Sequence, residues 1–280
     1  MFFKVLRYDL LNGTLKSAKK YLIALLVFLV AAFDFTLRAP GLRNNLSVEM
    51  STLGDYLMYI FYGMNEYEIG SPEPFRFPAL WMLIVLFALY IVLYYPYNDI
   101  YGYGKQVLVN AGSRSIWWLS KCAWVFTTVL TYFLILFATV FVYARLAGAE
   151  MTLNISKYMY MSFLPVAELK ETLVTSLNME IFLMPFLLVL ALGLLQLFMS
   201  LLIRPILSYS LSIVILVISA YYVHPFFPGN YAMIARSDKL IEAGVNNTVG
   251  IYFFLGIILV SMILGWICFY KFDILSNERI

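Results

Sequence analysis

The residues able to do chemistry are few and poorly spaced for it. His224 is the one histidine in 280 residues, and the two cysteines, Cys122 and Cys268, lie in separate apolar runs. A metal site normally needs three or four ligands, and an activated nucleophile needs a base beside it. Neither set can be assembled from these residues. The cysteines read as small apolar packing groups. His224, beside Pro225, reads as a loop or interfacial residue. Gly104-Lys105 touches the end of a phosphate-binding loop pattern, but that pattern requires glycine where Asp99 stands and Ser or Thr where Gln106 stands. No catalytic, cofactor-binding or metal-ligating residue is assigned. The chain is expected not to be an enzyme and to carry no cofactor.

A second group of residues is notable for where it falls. Asp34, Gln196 and Arg204 lie in or at the ends of apolar runs, where a charge at a helix centre costs about 2.5–3.5 kcal/mol. Asp34 and Arg204 sit close enough to run ends to reach a membrane surface. Gln196 is placed to hydrogen-bond a neighbouring helix. Asp34, Gln196, Pro225 and Pro228 are the candidates for a pathway or gate. Tyr94, Tyr95, Tyr97, Tyr101 and Tyr103 cluster as an interfacial aromatic belt.

The elements that must position these groups follow from composition. The chain is 63% hydrophobic and 12% charged, with a mean hydropathy of +0.85; an ordinary soluble domain is about 45–50% apolar and about 25% charged. Too little polar surface remains to cover a water-soluble globule. The fold class expected is an all-α integral membrane protein with six transmembrane helices. A helix needs about 20 apolar residues to cross a bilayer, and six runs qualify or nearly so: 21–37, 79–95, 119–143, 181–203, 206–223 and 249–270. Arg204-Pro205 separates the fourth from the fifth as a tight turn. Residues 1–20 are expected to form an amphipathic helix in the headgroup plane, with Phe3, Leu6 and Leu10 on its apolar side and Lys4, Arg7 and Asp9 among its polar groups. Residues 96–118 form a cytoplasmic loop. Residues 224–248, with Pro225, Pro228 and Gly229, form an external, candidate re-entrant segment. One side of this layout carries Lys4, Arg7, Lys16, Lys19, Lys20, Lys105, Arg114, Lys121, Arg204, Lys271 and Arg279 against only Asp9, Asp99, Asp273 and Glu278. The excess of Lys and Arg places that side, and both termini, in the cytoplasm. The net charge of +3 gives no reason to expect nucleic acid as a partner.

The stretch from Asp99 to Lys121 resembles the cytoplasmic loop of exporter-class (type-2) ABC transporter permeases. There an acidic residue, a glycine, a Leu-rich stretch and Ser-Arg precede a lysine at the start of the third span. Asp99, Gly104, Val107-Leu108, Ser113-Arg114 and Lys121 fill those places, while Lys105 and Asn110-Ala111-Gly112 depart from the pattern. The basic N-terminal helix, the six spans and the Pro/Gly segment between the last two extend the likeness over the whole chain. The ending Phe269-Tyr270-Lys271-Phe272-Asp273-Ile274-Leu275 looks like small permeases of Gram-positive bacteria, including exporters of amphipathic peptides. The resemblance implies a multi-pass subunit of the cell membrane that pairs with a second permease copy or a sibling. It also implies a separate cytoplasmic ATPase that holds the ATP and magnesium. Asp99, Gly102, Tyr103, Gly104, Lys105, Gln106 and Arg114 would then couple to the ATPase. The expected cargo is a hydrophobic or amphipathic peptide, with a lipid or lipid-linked glycan as the alternative. An ion-coupled secondary transporter is a further alternative, and an intramembrane enzyme lacks the converging polar groups it would need.

Overall fold

The computed structural model describes residues 1–43, 50–67, 75, 77–102, 104–105, 113–156, 159, 177–241 and 244–271, with the side chains of 16 and 40–43 excepted. Among these the protein is helical, and its pairings outside helices are two isolated bridges, Thr52 with Glu150 and Ser237 with Val245. Five helical segments are long and apolar enough to cross a membrane: Ala18–Ala39, Ala79–Tyr101, Arg114–Leu146, Met179–Met199 and Asn247–Lys271. A sixth apolar helix, Pro205–Tyr221, is 17 residues long.

In chain order α1 is Phe2–Asp9, joined by a π turn (Leu10–Thr14) and a 3-10 turn (Leu15–Ser17) to α2, Ala18–Arg43. The expected surface helix over 1–20 is therefore shorter, and it runs into the first apolar helix without a break. Helix α3 (Leu53–Phe61) is started by a capping box in which Thr52 and Asp55 each hold the other's backbone N–H. Such a reciprocal cap satisfies two of the donors a helix leaves open at its start. The second apolar run divides into α4 (Ala79–Val92) and α5 (Tyr95–Tyr101), with Pro96 in the first turn of α5. Proline is accepted there because it lacks an N–H that would be unpaired anyway. Helix α6 spans Arg114–Leu146, with the Ser113 hydroxyl accepting from the Ile116 N–H. It begins five residues before the expected boundary at 119, so Trp117 and Trp118 are helical rather than part of the loop 96–118. A π turn (Met179–Leu183) leads into α7 (Met184–Met199). Helix α8 is Pro205–Tyr221 and α9 is Asn247–Lys271.

The helices run alternately up and down. Helix α7 is the central one: its apolar window is 72% buried, against 17% for α9, and it packs on α4, α6, α8 and α9. Glycine permits a close crossing of α6 and α9. A Cβ at Gly265 of α9 would run into the Trp118 ring of α6, and Trp117 and Phe269 stack with centroids 4.5 Å apart. Arg114, at the start of α6, donates to the Tyr270 carbonyl at the end of α9 at 2.6 Å. Chain start, α5, the start of α6 and the end of α9 therefore share one end of the bundle.

The opposite end is closed by irregular chain. Residues Pro228–Ala232 and Ile234–Arg236 form two 3-10 turns that are buried throughout, and Trp81 donates to the Ala232 carbonyl at 2.9 Å. Residues 228–238 are thus packed into this end of the bundle, with Pro225 before them exposed and Pro228 buried. Arg236, fully buried, holds this segment. Its Nε donates to Met64 O, Nη1 to Ser219 O and Asn230 Oδ1, and Nη2 to Asn65 O and Ala220 O. All five guanidinium N–H groups are therefore used, and two of the acceptors are carbonyls left open at the end of α8. Burial pushes the guanidinium down to about 10, with Glu66 opposing that effect. It stays charged at neutral pH. Arg236→Lys removes the planar fork and should lower stability by about 2 kcal/mol or more, measured as a drop in the thermal midpoint in detergent.

Candidate functional site: a buried ion cluster at the loop end

Helix α1 is amphipathic, and Asp9 falls one turn after Val5 on the side that faces the bundle; both are buried. Helix α5 carries Asp99 inward in the same way. Between them stands Lys121, in the second turn of α6 and fully buried. Its Nζ bonds Asp9 Oδ1 and, at 2.6 Å, Asp99 Oδ2. Tyr95 of α5 donates to Asp9 Oδ1 at 2.8 Å, and Ser120 donates to Asp9 Oδ2 at 2.5 Å. Tyr8 reaches Asp99 Oδ1 at a long 3.4 Å. The ammonium also lies over the rings of Tyr95 and Trp117, 4.7 and 4.8 Å from their centroids. Two carboxylates from two short helices thus share one cation on α6.

Two glycines make room for this arrangement. A Cβ at Gly13 would run into Trp124 and Tyr95, and one at Gly104 would run into the Asp99 carboxylate. Trp124 and Tyr95 are in contact, with ring centroids 4.6 Å apart. The turn after α1 and the chain after α5 are therefore pressed onto the cluster by backbone, not by side chain.

The structure places the expected site residues as follows. Asp99, expected to couple to an ATPase, is buried against Lys121. Asp9, expected on an interfacial helix, is buried with it, whereas Lys4 and Arg7 on the same helix are exposed. Arg114 bonds the end of α9. Gly102 is exposed, Gly104 buried and Lys105 half-buried. Tyr103 and Gln106 lie outside the described residues, as do Val107-Leu108 and Asn110-Ala111-Gly112. Tyr95 turns inward from the expected tyrosine belt. The residues missed are Tyr8, Tyr95 and Ser120, together with the role of Lys121. The available signal was Asp9 at helical spacing from Val5, and a lysine inside an apolar run.

The gate candidates are dispersed. Asp34 accepts from Tyr59 and, at 2.9 Å, from Arg38. Burial, then the Asp34 hydrogen bond, pushes the Tyr59 phenol upward. Gln196 donates to the Leu89 carbonyl of α4 at 3.3 Å, so it does bridge two helices. His224 is exposed, and its Nδ1 accepts from the Phe226 N–H. Glu180 is buried where α7's leading turn meets α9, bonded to Asn247 at 2.6 Å and to Lys239. These groups lie at separate places and do not converge. Among the described residues no three His, Cys, Asp or Glu gather as a metal site, and both cysteines are free.

Lys121→Met leaves two buried carboxylates without their cation and should cost about 3–5 kcal/mol, read as a lower thermal midpoint. Adding Asp9→Asn and Asp99→Asn to that variant should recover most of the loss, since a neutral cluster has no unpaired charge to bury. Equal stability of the single variant and the wild type would contradict the role given to the cluster. Gly104→Val should loosen α5 without removing any charge, seen as faster hydrogen exchange over residues 95–102.

No curated protein and no solved structure matches this chain. A family pattern matches residues 29–275, including the second half of α2, α5, Lys121 and every later long apolar helix. The chain belongs to that family, described as a protein of unknown function (DUF2705).

Proposed function

We propose that this chain is the membrane-spanning subunit of an ATP-driven exporter of the ABC type, moving a hydrophobic or amphipathic cargo out of the cell. Helices α2, α4, α6, α7, α8 and α9 are its six crossings. α1 lies on the cytoplasmic surface, and both termini are cytoplasmic. The observation that carries this reading is the shared Lys121: it binds a surface helix and a loop helix to a crossing through buried charge. A solvated connector would not need such an attachment. A push on α5 from a cytoplasmic ATPase is passed to α6 and α1 as long as the cluster holds. About 3–5 kcal/mol per broken buried pair is about two to four powers of ten in population, enough to keep these parts moving together.

ATP can shift the chain only if its ATPase grips the loop differently in its nucleotide states. The exposed Gly102 and the half-buried Lys105 are nearest to that contact. Asp99 and Arg114 act behind it, holding the loop and the last helix in place. A peptide is the cargo we favour, with a lipid or lipid-linked glycan as the alternative. A Gram-positive cell membrane and a paired permease belong to the same proposal.

An ion-coupled transporter is the second reading, favoured by one specific observation: two carboxylates and an ammonium lie buried among the helices, where the sequence suggested nearly charge-free crossings. Their position, two turns from the start of α6, counts against it, because coupling sites lie near the bilayer midplane. The deciding experiment is reconstitution with and without the partner ATPase. Cargo uptake into inverted vesicles should require both ATP and that partner. Lys121→Met, if folded, should leave ATP hydrolysis within about twofold while transport falls at least tenfold. Cargo movement by the purified chain alone would overturn the exporter assignment.

A further inference from the structure

At the same end as the ion cluster, a lateral groove of about 460 Å³ opens between α1, α6, α7 and α9. Its floor is made by Cys122 of α6 with Leu190 and Leu194 of α7, all nearly buried. Ile258 and Met262 of α9 form one wall, and Phe2 of α1 closes the end. Small side chains create the space: Cys122 and Ala123 occupy the stretch of α6 where its neighbours Leu119 and Phe126 are large and half exposed. No polar side chain lines the groove, so it offers nothing to water or to a hydrophilic solute. A cavity of about 150 Å³ takes one benzene ring. A volume about three times larger holds about eighteen carbons, the size of one acyl chain.

What stands beyond the Phe2 end is cationic. Helix α1 and the end of α9 adjoin the start of α6 there, and Lys4, Arg7 and Lys271 are exposed. The acids described at this end, Asp9 and Asp99, are buried and committed to Lys121. Among the described residues the exposed charge at this end is therefore positive, and it complements an anionic headgroup. Exposed basic groups near a membrane surface attract such lipids.

We propose that this groove is a specific site for an anionic phospholipid, one acyl chain seated over Cys122 and Ala123 and the headgroup held near Lys4 and Arg7. The lipid would pack α1 against α9 from the side that the ion cluster leaves open. This rests on the membrane-spanning reading of the chain, but not on its ATPase.

The test uses the full-length chain purified in mild detergent, with phosphatidylglycerol and phosphatidylcholine of matched acyl chains as probes and native mass spectrometry as the readout. The wild type should retain one phosphatidylglycerol per chain at least fivefold better than phosphatidylcholine. Ala123→Phe, which fills the groove, should lose that retention about tenfold. Lys4→Gln with Arg7→Gln should bring the two lipids to equal retention. A second measurement avoids variants that fold poorly. On a Cys268→Ser background, alkylation of Cys122 by an apolar maleimide should slow about tenfold when phosphatidylglycerol is restored to stripped protein. Retention unaffected by Ala123→Phe, equal retention of both lipids by the wild type, or Cys122 protected by self-association in the absence of lipid would each overturn the proposal. The exporter reading stands or fails separately, on ATP-dependent transport.

Discussion

An ammonium ion far from water must be surrounded by its own counter-charges, and Lys121 meets that requirement with carboxylates drawn from two other elements. Much of the loop end follows from this. Helix α1 has eight residues, too short to be stable alone in water, so its position depends on what it packs against. Asp9 anchors one side of it, and Tyr95 and Ser120 donate to the same carboxylate. Asp99 ties α5 to the same nitrogen, and Gly104 lets the following chain pass close over it. The stacked rings of Trp117 and Phe269 and the Arg114 contact extend this fixed region to the last helix.

The far end solves a different problem with the same physics. There the chain leaves helical geometry while still buried, and its backbone polar groups need partners that no regular ladder supplies. Arg236 serves four backbone carbonyls at once, with the Asn230 side chain as its fifth acceptor. Asp55 holds the backbone N–H groups of Thr52 and Ser156, and burial pushes its carboxyl upward against those donors. Glu180 gathers Ser237, Asn247 and Lys239. Between the two ends the helices meet through apolar side chains, aromatic pairs and glycine, with Gln196, Tyr132 and Tyr209 each donating a hydrogen bond to a carbonyl of α4. Polar networks at both ends with an apolar middle is the arrangement a bilayer imposes, since hydrocarbon offers no substitute partner for an exposed backbone group.

What the sequence determined by itself was the helical architecture and its apolar character. Long runs without charge admit few structures other than helices in lipid, and the punctuation at Pro96, Pro205 and the Pro225–Gly229 segment marks breaks close to those observed. Boundaries moved where capping was local and specific: Ser113 started α6 early, so two tryptophans entered the helix. The bridging role of Gln196 was legible because an amide in an apolar run has few alternatives to a neighbouring helix.

The tertiary structure alone decided which charges face inward. Asp99 and Arg114 in a loop, and Asp9 in a basic helix, carry the pattern of exposed groups. The spacing of Asp9 from Val5 and a lysine inside an apolar run hint at burial, but nothing local says that these two groups and Asp99 meet. Arg236 is the same case, since a loop arginine with five separate acceptors can be recognised only once Met64, Asn65, Ser219, Ala220 and Asn230 have been brought around it. Hydrophobic periodicity is a short-range signal, written into a few helical turns. Charge pairing in a low-dielectric interior is a long-range one, and it exists only after the helices have packed.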